Sequence, residues 1–228
     1  MEMLQYYVAT PIHAETTDGS IWMMGGSPTE APSGLSNVTE YLDVTTGTWR
    51  YGPQLPFGIV GMGFVGIDKD KLLIVGGEGD KGKKLAYTFD TRSGETEELT
   101  ENDEVIFGPN CGTVTLANLT RMALCMGGAK DIYSPEVVIL NTTFGYNVDE
   151  DRWVGDIAEW AVPVTFFALL GIDGDLYLSG KGTETDDLEV WIFDETADPV
   201  WQLVPGFGFT STGMNGIVAP WTVMNVEI

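Results

Sequence analysis

The sequence is poor in basic residues, with 11 lysines and arginines against 34 aspartates and glutamates and a formal net charge of −23 at pH 7. Such an acidic chain repels the phosphate backbone of nucleic acids and the anionic surface of membranes, so we exclude nucleic acid as a partner. Divalent cations and basic proteins remain possible partners. The simplest role of the charge is a solvated surface that resists association.

Histidine is almost missing too, since His13 is the only one in 228 residues. A single imidazole excludes any site that needs two. No nucleophile elbow, P-loop or dinucleotide fingerprint accompanies it. The sequence therefore predicts no catalytic residue, no cofactor-binding residue and no metal ligand, and we expect His13 to be an ordinary strand residue.

Long apolar runs are also missing. The stretch around Phe166–Gly171 is far shorter than the roughly 20 residues that cross a bilayer, so we expect no membrane insertion. The composition is nonetheless that of a folded protein, with 43% hydrophobic and 11% aromatic residues. A chain of this length can bury a substantial core without metals or disulfides.

Glycine, by contrast, recurs at a fixed period. Pairs end apolar runs at Gly25-Gly26, Gly76-Gly77 and Gly127-Gly128, so that the second glycines are 51 residues apart in each step (77 − 26 and 128 − 77). A degenerate fourth copy ends at Gly180, 52 residues further on (180 − 128). A turn signal precedes each run and another strand-like stretch precedes each turn. Each unit therefore predicts four strands in about 51 residues, with no helical periodicity.

A second pattern follows each glycine pair: a leucine or aromatic residue, then Asp or Asn, then Trp. The copies are Leu42-Asp43 with Trp49, Phe89-Asp90 with Thr96 in place of Trp, and Phe193-Asp194 with Trp201. The third copy is ambiguous, because Leu140-Asn141 keeps the 51-residue spacing while Tyr146-Asn147 fits better with Trp153.

These residues resemble the kelch repeat, in which a Gly-Gly pair precedes an aromatic-Asp turn and a tryptophan. The fourth copy departs from it, with Ser179-Gly180 in place of Gly-Gly. The resemblance implies an all-β fold, a kelch-type β-propeller of four-stranded antiparallel blades. In such a fold each sheet stacks against copies of itself because it cannot bury both faces alone. The tryptophans are then expected to fill the gap that widens between blades.

We expect one propeller domain over residues 1–228, with blades at about 1–55, 56–107, 108–160 and 161–206. Four complete repeats are followed by a partial fifth at 207–228, so the ring does not obviously close. The amino end could complete the fifth blade, a second chain could complete the ring, or the chain could be part of a larger propeller. The second alternative implies self-association through the incomplete blade.

The two cysteines, Cys111 and Cys125, lie on either side of the turn at residue 118 and would face each other in a simple hairpin, close enough for a disulfide. The alternative is two free buried thiols. Three Asn-x-Ser/Thr triplets begin at Asn37, Asn118 and Asn141, which are candidate glycosylation sites. Together these features favour a secreted or extracellular glycoprotein over a cytoplasmic protein.

Calcium is the one cofactor worth testing, because three turns are rich in carboxylates: Asp68–Asp70, Asp149–Asp151 and Asp173–Asp175. Short Asp/Gly turns also serve any hairpin, so no metal ligand is assigned.

We expect a non-enzymatic binding or structural module. It would recognise a protein or glycan through the loops after the glycine pairs, on one face of the propeller: residues 27–36, 78–84, 129–135 and 181–187. The alternative is an enzyme, or part of one, of the secreted kelch-propeller type. A glycan-active enzyme or oxidase of that kind would have its active site partly outside this chain.

Overall fold

The structure is a computed structural model and describes residues 13–15, 20–26, 34–79, 86–100, 106–130, 136, 138–157, 165–181 and 188–209. Every regular element in these ranges is a β-strand, and there are 18 of them. No helix in the same ranges is long and apolar enough to cross a bilayer.

Sixteen of these strands form four antiparallel sheets of four strands each, with the strands in chain order across each sheet. Sheet 1 contains β1 (His13–Glu15), β2 (Ile21–Met24), β3 (Thr39–Asp43) and β4 (Thr48–Tyr51). Sheet 2 contains β5 (Ile59–Asp68), β6 (Lys71–Gly79), β7 (Ala86–Asp90) and β8 (Thr96–Glu98). Sheet 3 contains β9 (Asn110–Thr115), β10 (Arg121–Met126), β13 (Thr143–Asn147) and β14 (Arg152–Asp156). Sheet 4 contains β15 (Thr165–Ile172), β16 (Asp175–Lys181), β17 (Leu188–Phe193) and β18 (Trp201–Phe209).

The two other strands, β11 (Ala129–Lys130) and β12 (Val138–Ile139), pair with each other as a short ribbon between β10 and β13. The predicted all-β fold of four-stranded antiparallel sheets is confirmed. Residues 210–228, on which nearly all of the predicted fifth blade falls, lie outside the described residues.

The sheets stack through their first strands. Strand β1 contacts β5, β5 contacts β9, and β9 contacts β15, so the sheets follow one another in chain order. A closed ring is not seen among the described residues.

Three apolar layers fill the spaces between consecutive sheets. Strand β6 shows how they form, because its side chains alternate between faces. Leu72 and Ile74 enter the layer shared with sheet 1, while Leu73 and Val75 enter the layer shared with sheet 3. Sheets 2 and 3 are therefore buried on both faces, which is why their central strands are almost continuously apolar.

The tryptophans of the repeat differ in burial from sheet to sheet. In sheet 1 the tryptophan of the repeat, Trp49, is 39% exposed, whereas Trp201 of sheet 4 is 7% exposed and packs edge-on against Phe193. Trp153 stacks on Phe144 between sheets 2 and 3. Trp153 and Trp201 thus each fill the space between their own sheet and the preceding one. Trp49 belongs to the first sheet, so no preceding sheet is described that could cover it.

The first two glycine pairs each connect a sheet to the next. All six glycines of the three pairs have positive φ, between 67° and 98°. The second glycine of the first two pairs donates its N–H across the stack, from Gly26 to the Ile59 carbonyl (2.8 Å) and from Gly77 to the Ile106 carbonyl (2.7 Å). A Cβ on Gly25 or Gly76 would collide with the same two carbonyl oxygens.

Strand pairing corrects the alignment of the fourth copy. In sheets 1 to 3 the same two positions of the repeat are cross-strand partners. One lies two residues before the Asp or Asn of the third strand, and the other lies three residues before the first glycine of the pair. These partners are Tyr41 with Trp22, Thr88 with Leu73, and Gly145 with Leu124. In sheet 4, Ile192 pairs with Tyr177. Gly180 therefore corresponds to the first glycine and Lys181 to the second, so the alignment of Ser179-Gly180 with Gly-Gly was wrong by one residue.

Pairing also resolves the ambiguous third copy, because Tyr146 lies opposite Trp153 and Asn147 ends β13. Thr96 pairs with Phe89, the position that tryptophan takes in the other sheets. The cysteine prediction is confirmed: Cys111 and Cys125 are direct cross-strand partners, joined by a disulfide with their Cα atoms 4.0 Å apart.

The glycine-pair contact makes a stability prediction with an internal control. Gly76 and Gly47 have similar φ values, 70° and 65°, but an added Cβ meets the Ile106 carbonyl at Gly76 and nothing within 4 Å at Gly47. Gly47→Ala should cost about 1–2 kcal/mol of backbone strain. Gly76→Ala should cost at least ~2 kcal/mol more, because it also displaces the carbonyl that Gly77 binds. Urea unfolding of the two variants measures the difference, and equal losses would contradict this role.

Candidate functional site

The antiparallel order of each sheet divides the stack into two ends. The tight turns between first and second strands, and between third and fourth strands, lie at one end, which we call the turn end. The loops that follow the glycine pairs lie at the other, the glycine-pair end. The sequence predicts recognition at the glycine-pair end.

At the glycine-pair end, the described structure beyond the sheets is the β11–β12 ribbon. Ala129 holds it in place by exchanging two 2.8 Å backbone hydrogen bonds with Phe107, and the Phe107 ring packs on the backbone of Gly61 in sheet 2. Val138 on the ribbon is 47% exposed. The predicted recognition loops otherwise lie mostly outside the described residues.

At the turn end, one carboxylate or amide motif recurs in all four sheets. The Asp or Asn that ends each third strand accepts hydrogen bonds from backbone N–H groups two or three residues ahead: Asp43, Asp90, Asn147 and Asp194. These bonds close the turn. At Asp90, the bonds from the Ser93 and Arg92 backbones hold the pKa of the carboxyl below its usual range.

Two of the three acidic turns considered for calcium, those at residues 68–70 and 149–151, are paired with cations of the chain itself. Asp70 pairs with Arg92 at 2.8 Å, Asp149 with Arg121 at 2.8 Å, and Asp151 with Lys71 at 2.7 Å. In the part of the chain that the structure describes, no three His, Cys, Asp or Glu side chains converge on a point that could hold a metal ion.

Asp151 links two sheets in this way, because Lys71 belongs to sheet 2 and Asp151 to sheet 3. The Tyr146 hydroxyl also donates to Asp151. The Lys71 hydrogen bond, followed by that of Tyr146, holds the pKa of Asp151 below its usual range. Burial, followed by the bond to Asp151, raises the pKa of Tyr146. The Tyr146 hydroxyl is therefore a hydrogen-bond donor to a structural carboxylate and stays protonated.

A cleft of about 290 Å³ opens at the turn end between sheets 1 and 2. One wall is aromatic: Trp22 and Tyr41 are cross-strand partners whose rings stack with centroids 4.9 Å apart and planes 23° apart, and Tyr51 joins the lining. Gly52 packs directly on the indole, since a Cβ there would lie 2.5 Å from Trp22 Cζ3. The main chain that leaves sheet 1 therefore packs against this wall and lines the cleft as well.

The opposite wall is polar and comes from two turns of sheet 2. Lys69 and Asp70 lie on the β5–β6 turn, and Thr91 and Arg92 follow β7. Thr91 donates its N–H to the Asp70 carbonyl at 2.8 Å, while Arg92 pairs with the Asp70 carboxylate. Both turns are therefore joined through backbone and side chain, and the donor and acceptor groups that face the cleft are fixed.

The sequence motifs did not reveal this cleft. Trp22 and Tyr41 lie in strands of the first repeat, and no motif singles out Arg92. The one available signal is the repeat itself, since it predicts that consecutive sheets bring their turns together.

The structure also shows where His13 and the three asparagines of the predicted glycosylation sites lie. The backbone of His13 pairs with Met23 in β1, as expected for a strand residue. Asn118 lies exposed on the hairpin turn and Asn141 is exposed before β13. Asn37 is half-buried, and its Nδ2 donates to the Leu55 carbonyl at 3.0 Å.

Compared with known protein families and with curated proteins, the chain has no match. The kelch resemblance therefore depends on the sequence repeats alone.

The recurring turn motif makes a pH prediction. Because the folded pKa of Asp90 is lowered, its stabilisation is complete above the unfolded pKa of about 3.9 and is lost as the pH falls through the folded value. Asp90→Asn keeps an acceptor, as Asn147 does in sheet 3, but removes this titration. The variant should be less stable than the wild type at pH 7, and the gap should close towards pH 3 in urea unfolding.

Asp90→Ala is the matched control, because it removes the hydrogen bonds themselves and should be less stable at every pH. A gap between the wild type and Asp90→Asn that is constant from pH 7 to pH 3 would contradict the role of the charge.

Proposed function

We propose that this chain is a kelch-type β-propeller that acts as a non-enzymatic recognition module outside the cell. The propeller is supported by four sheets of one strand order that stack through their first strands, and by the glycine-pair hydrogen bonds that join the first three sheets. Variable loops on a rigid scaffold are a common place for recognition.

The observation that carries the recognition role is the β11–β12 ribbon at the glycine-pair end. It extends a loop beyond the sheet while two backbone hydrogen bonds to Phe107 anchor it. Val138 on the ribbon is an exposed apolar side chain on backbone that is already anchored. Binding of a partner there would therefore cost little conformational entropy of the loop.

A non-enzymatic role is supported by what the described carboxylates do. Asp43, Asp90 and Asp194 close turns, and Asp149 and Asp151 are held by cations. Catalysis by paired carboxylates needs one of them to keep a raised pKa, and these five are all held in the opposite direction. Burial raises the pKa of Glu40, but its cross-strand partners are Met23 and Tyr51 and not a second carboxylate.

An extracellular location is supported by the disulfide between Cys111 and Cys125, since such bonds persist in oxidising compartments. The exposed sequon residues Asn118 and Asn141 agree with it.

The recognition role is tested by binding to arrays of purified extracellular proteins and glycans. We expect Val138→Asp to weaken binding of the partner found there by about tenfold or more, because a charge replaces an apolar contact. Val154→Asp is the control, since Val154 on β14 is similarly exposed, at 41% against 47%, and lies away from the ribbon. The ligand should be recovered chemically unchanged.

Turnover of an array ligand, or of glycosides and alcohols offered to the purified protein, would contradict the non-enzymatic role. Binding that Val138→Asp leaves intact would contradict recognition through the ribbon.

The location is tested by peptide mass spectrometry of protein secreted from eukaryotic cells. We expect glycans on Asn118 and Asn141, a linked Cys111–Cys125 peptide, and an unmodified Asn37. The Nδ2 of Asn37, to which a glycan would be attached, donates to Leu55 in the folded chain. Free thiols together with three unmodified asparagines would overturn the extracellular assignment.

A further inference from the structure

We propose that the cleft between sheets 1 and 2 binds one ring of a neutral saccharide, on the Trp22–Tyr41 wall and the Asp70–Arg92 pair. This site lies at the turn end, opposite the ribbon, and so goes beyond the recognition proposed above.

The size fits a single ring. Small-molecule sites in proteins have volumes of about 300–1,000 Å³. A cleft of about 290 Å³ is at the lower end of that range, enough for one pyranose and too small to enclose a large cofactor.

The aromatic wall fits the apolar side of a sugar. Trp22 is 5% exposed and stacks on Tyr41, which is only partly buried, so Tyr41 supplies most of the aromatic surface that a ligand can reach. The C–H groups on one face of a hexose are apolar and gain by leaving water for an aromatic ring. The stack on the buried indole holds the Tyr41 ring in place before the ligand arrives.

The polar wall fits hydroxyl groups better than other chemistry. Asp70 accepts hydrogen bonds and Arg92 donates them, and the two lie side by side in an ion pair at 2.8 Å. A hydroxyl both donates and accepts, so two neighbouring hydroxyls can satisfy the pair together.

Other ligand classes fit less well. An anion would meet the Asp70 carboxylate and the field of a chain with net charge −23. A purely apolar ligand would desolvate the ion pair without replacing its bonds to water. A neutral sugar avoids both penalties.

The test is isothermal titration calorimetry of the whole chain with soluble neutral oligosaccharides of glucose, galactose, mannose and N-acetylglucosamine. For the sugar that binds, Tyr41→Leu should weaken the affinity by about tenfold or more, because the aromatic surface is lost. Arg92→Ala should weaken it by a similar factor, because the donor is lost and Asp70 is left unpaired.

Two matched controls should leave the affinity unchanged. Trp49→Leu removes an aromatic residue from the opposite face of the same sheet, where Trp49 pairs with Leu42. Arg152→Ala breaks an exposed ion pair with Glu150 in sheet 3, and Arg152 is 61% exposed against 68% for Arg92. Circular dichroism of each variant checks that the fold is kept.

Two outcomes overturn the proposal: no binding by any of these sugars at millimolar concentration, or binding that neither Tyr41→Leu nor Arg92→Ala weakens. Val138→Asp separates the two sites, because it should leave sugar binding at the cleft unchanged. Partner binding lost with Val138→Asp and no sugar binding would refute the cleft while the ribbon proposal stands. Sugar binding with chemical turnover would refute the non-enzymatic role while the cleft stands.

Discussion

A backbone hydrogen bond at the glycine pair sets the spacing of the first three sheets. In the first two pairs the first glycine turns the chain closely past a carbonyl of the next sheet, and the second glycine donates its N–H to that same carbonyl. The carbonyls belong to Ile59 and Ile106, which lie where the next first strand begins or just before it. Since the bond fixes where that strand starts, the packing of first strands and the apolar layers between sheets follow from it. A side chain at the first glycine would push the two sheets apart at their closest approach.

Much of this was predictable because the repeat is local. The period of 51 residues, the strand content and the cysteine hairpin each depend on residues close together in the sequence. The alignment of Gly180 was predicted one residue off, because a single glycine without its partner does not fix a register, and the pairing of Ile192 with Tyr177 does. The cleft was not predictable from motifs, since its residues come from two sheets and none of them forms a recognisable pattern alone.

The large negative charge has a structural use at the turn end. Carboxylates there close the turns between third and fourth strands in sheets 1, 2 and 4. Five ion pairs between described residues use Arg50, Lys71, Arg92, Arg121 and Arg152, all at or near tight turns. These are five of the 11 basic residues in the chain, so positive charge is concentrated where the turns meet. Exposed pairs of this kind add little stability individually. Their effect is to fix the positions of turns that belong to neighbouring strands and sheets.

The two ends of the stack therefore favour different kinds of binding. At the turn end, the backbone N–H of Arg92 caps Asp90 while its guanidinium holds Asp70, so the residue is fixed at both ends before any ligand arrives. A small ligand there loses little affinity to ordering, but it finds only the few groups that short turns can present. At the glycine-pair end, the middle of each loop can differ in length and sequence, because the contacts between sheets are made by the glycines and by the loop ends, such as the Ser36 carbonyl that accepts from the Ile59 N–H. The varied loops at that end can therefore provide selectivity for a large partner, whereas the turn end is better suited to one small, rigid ligand.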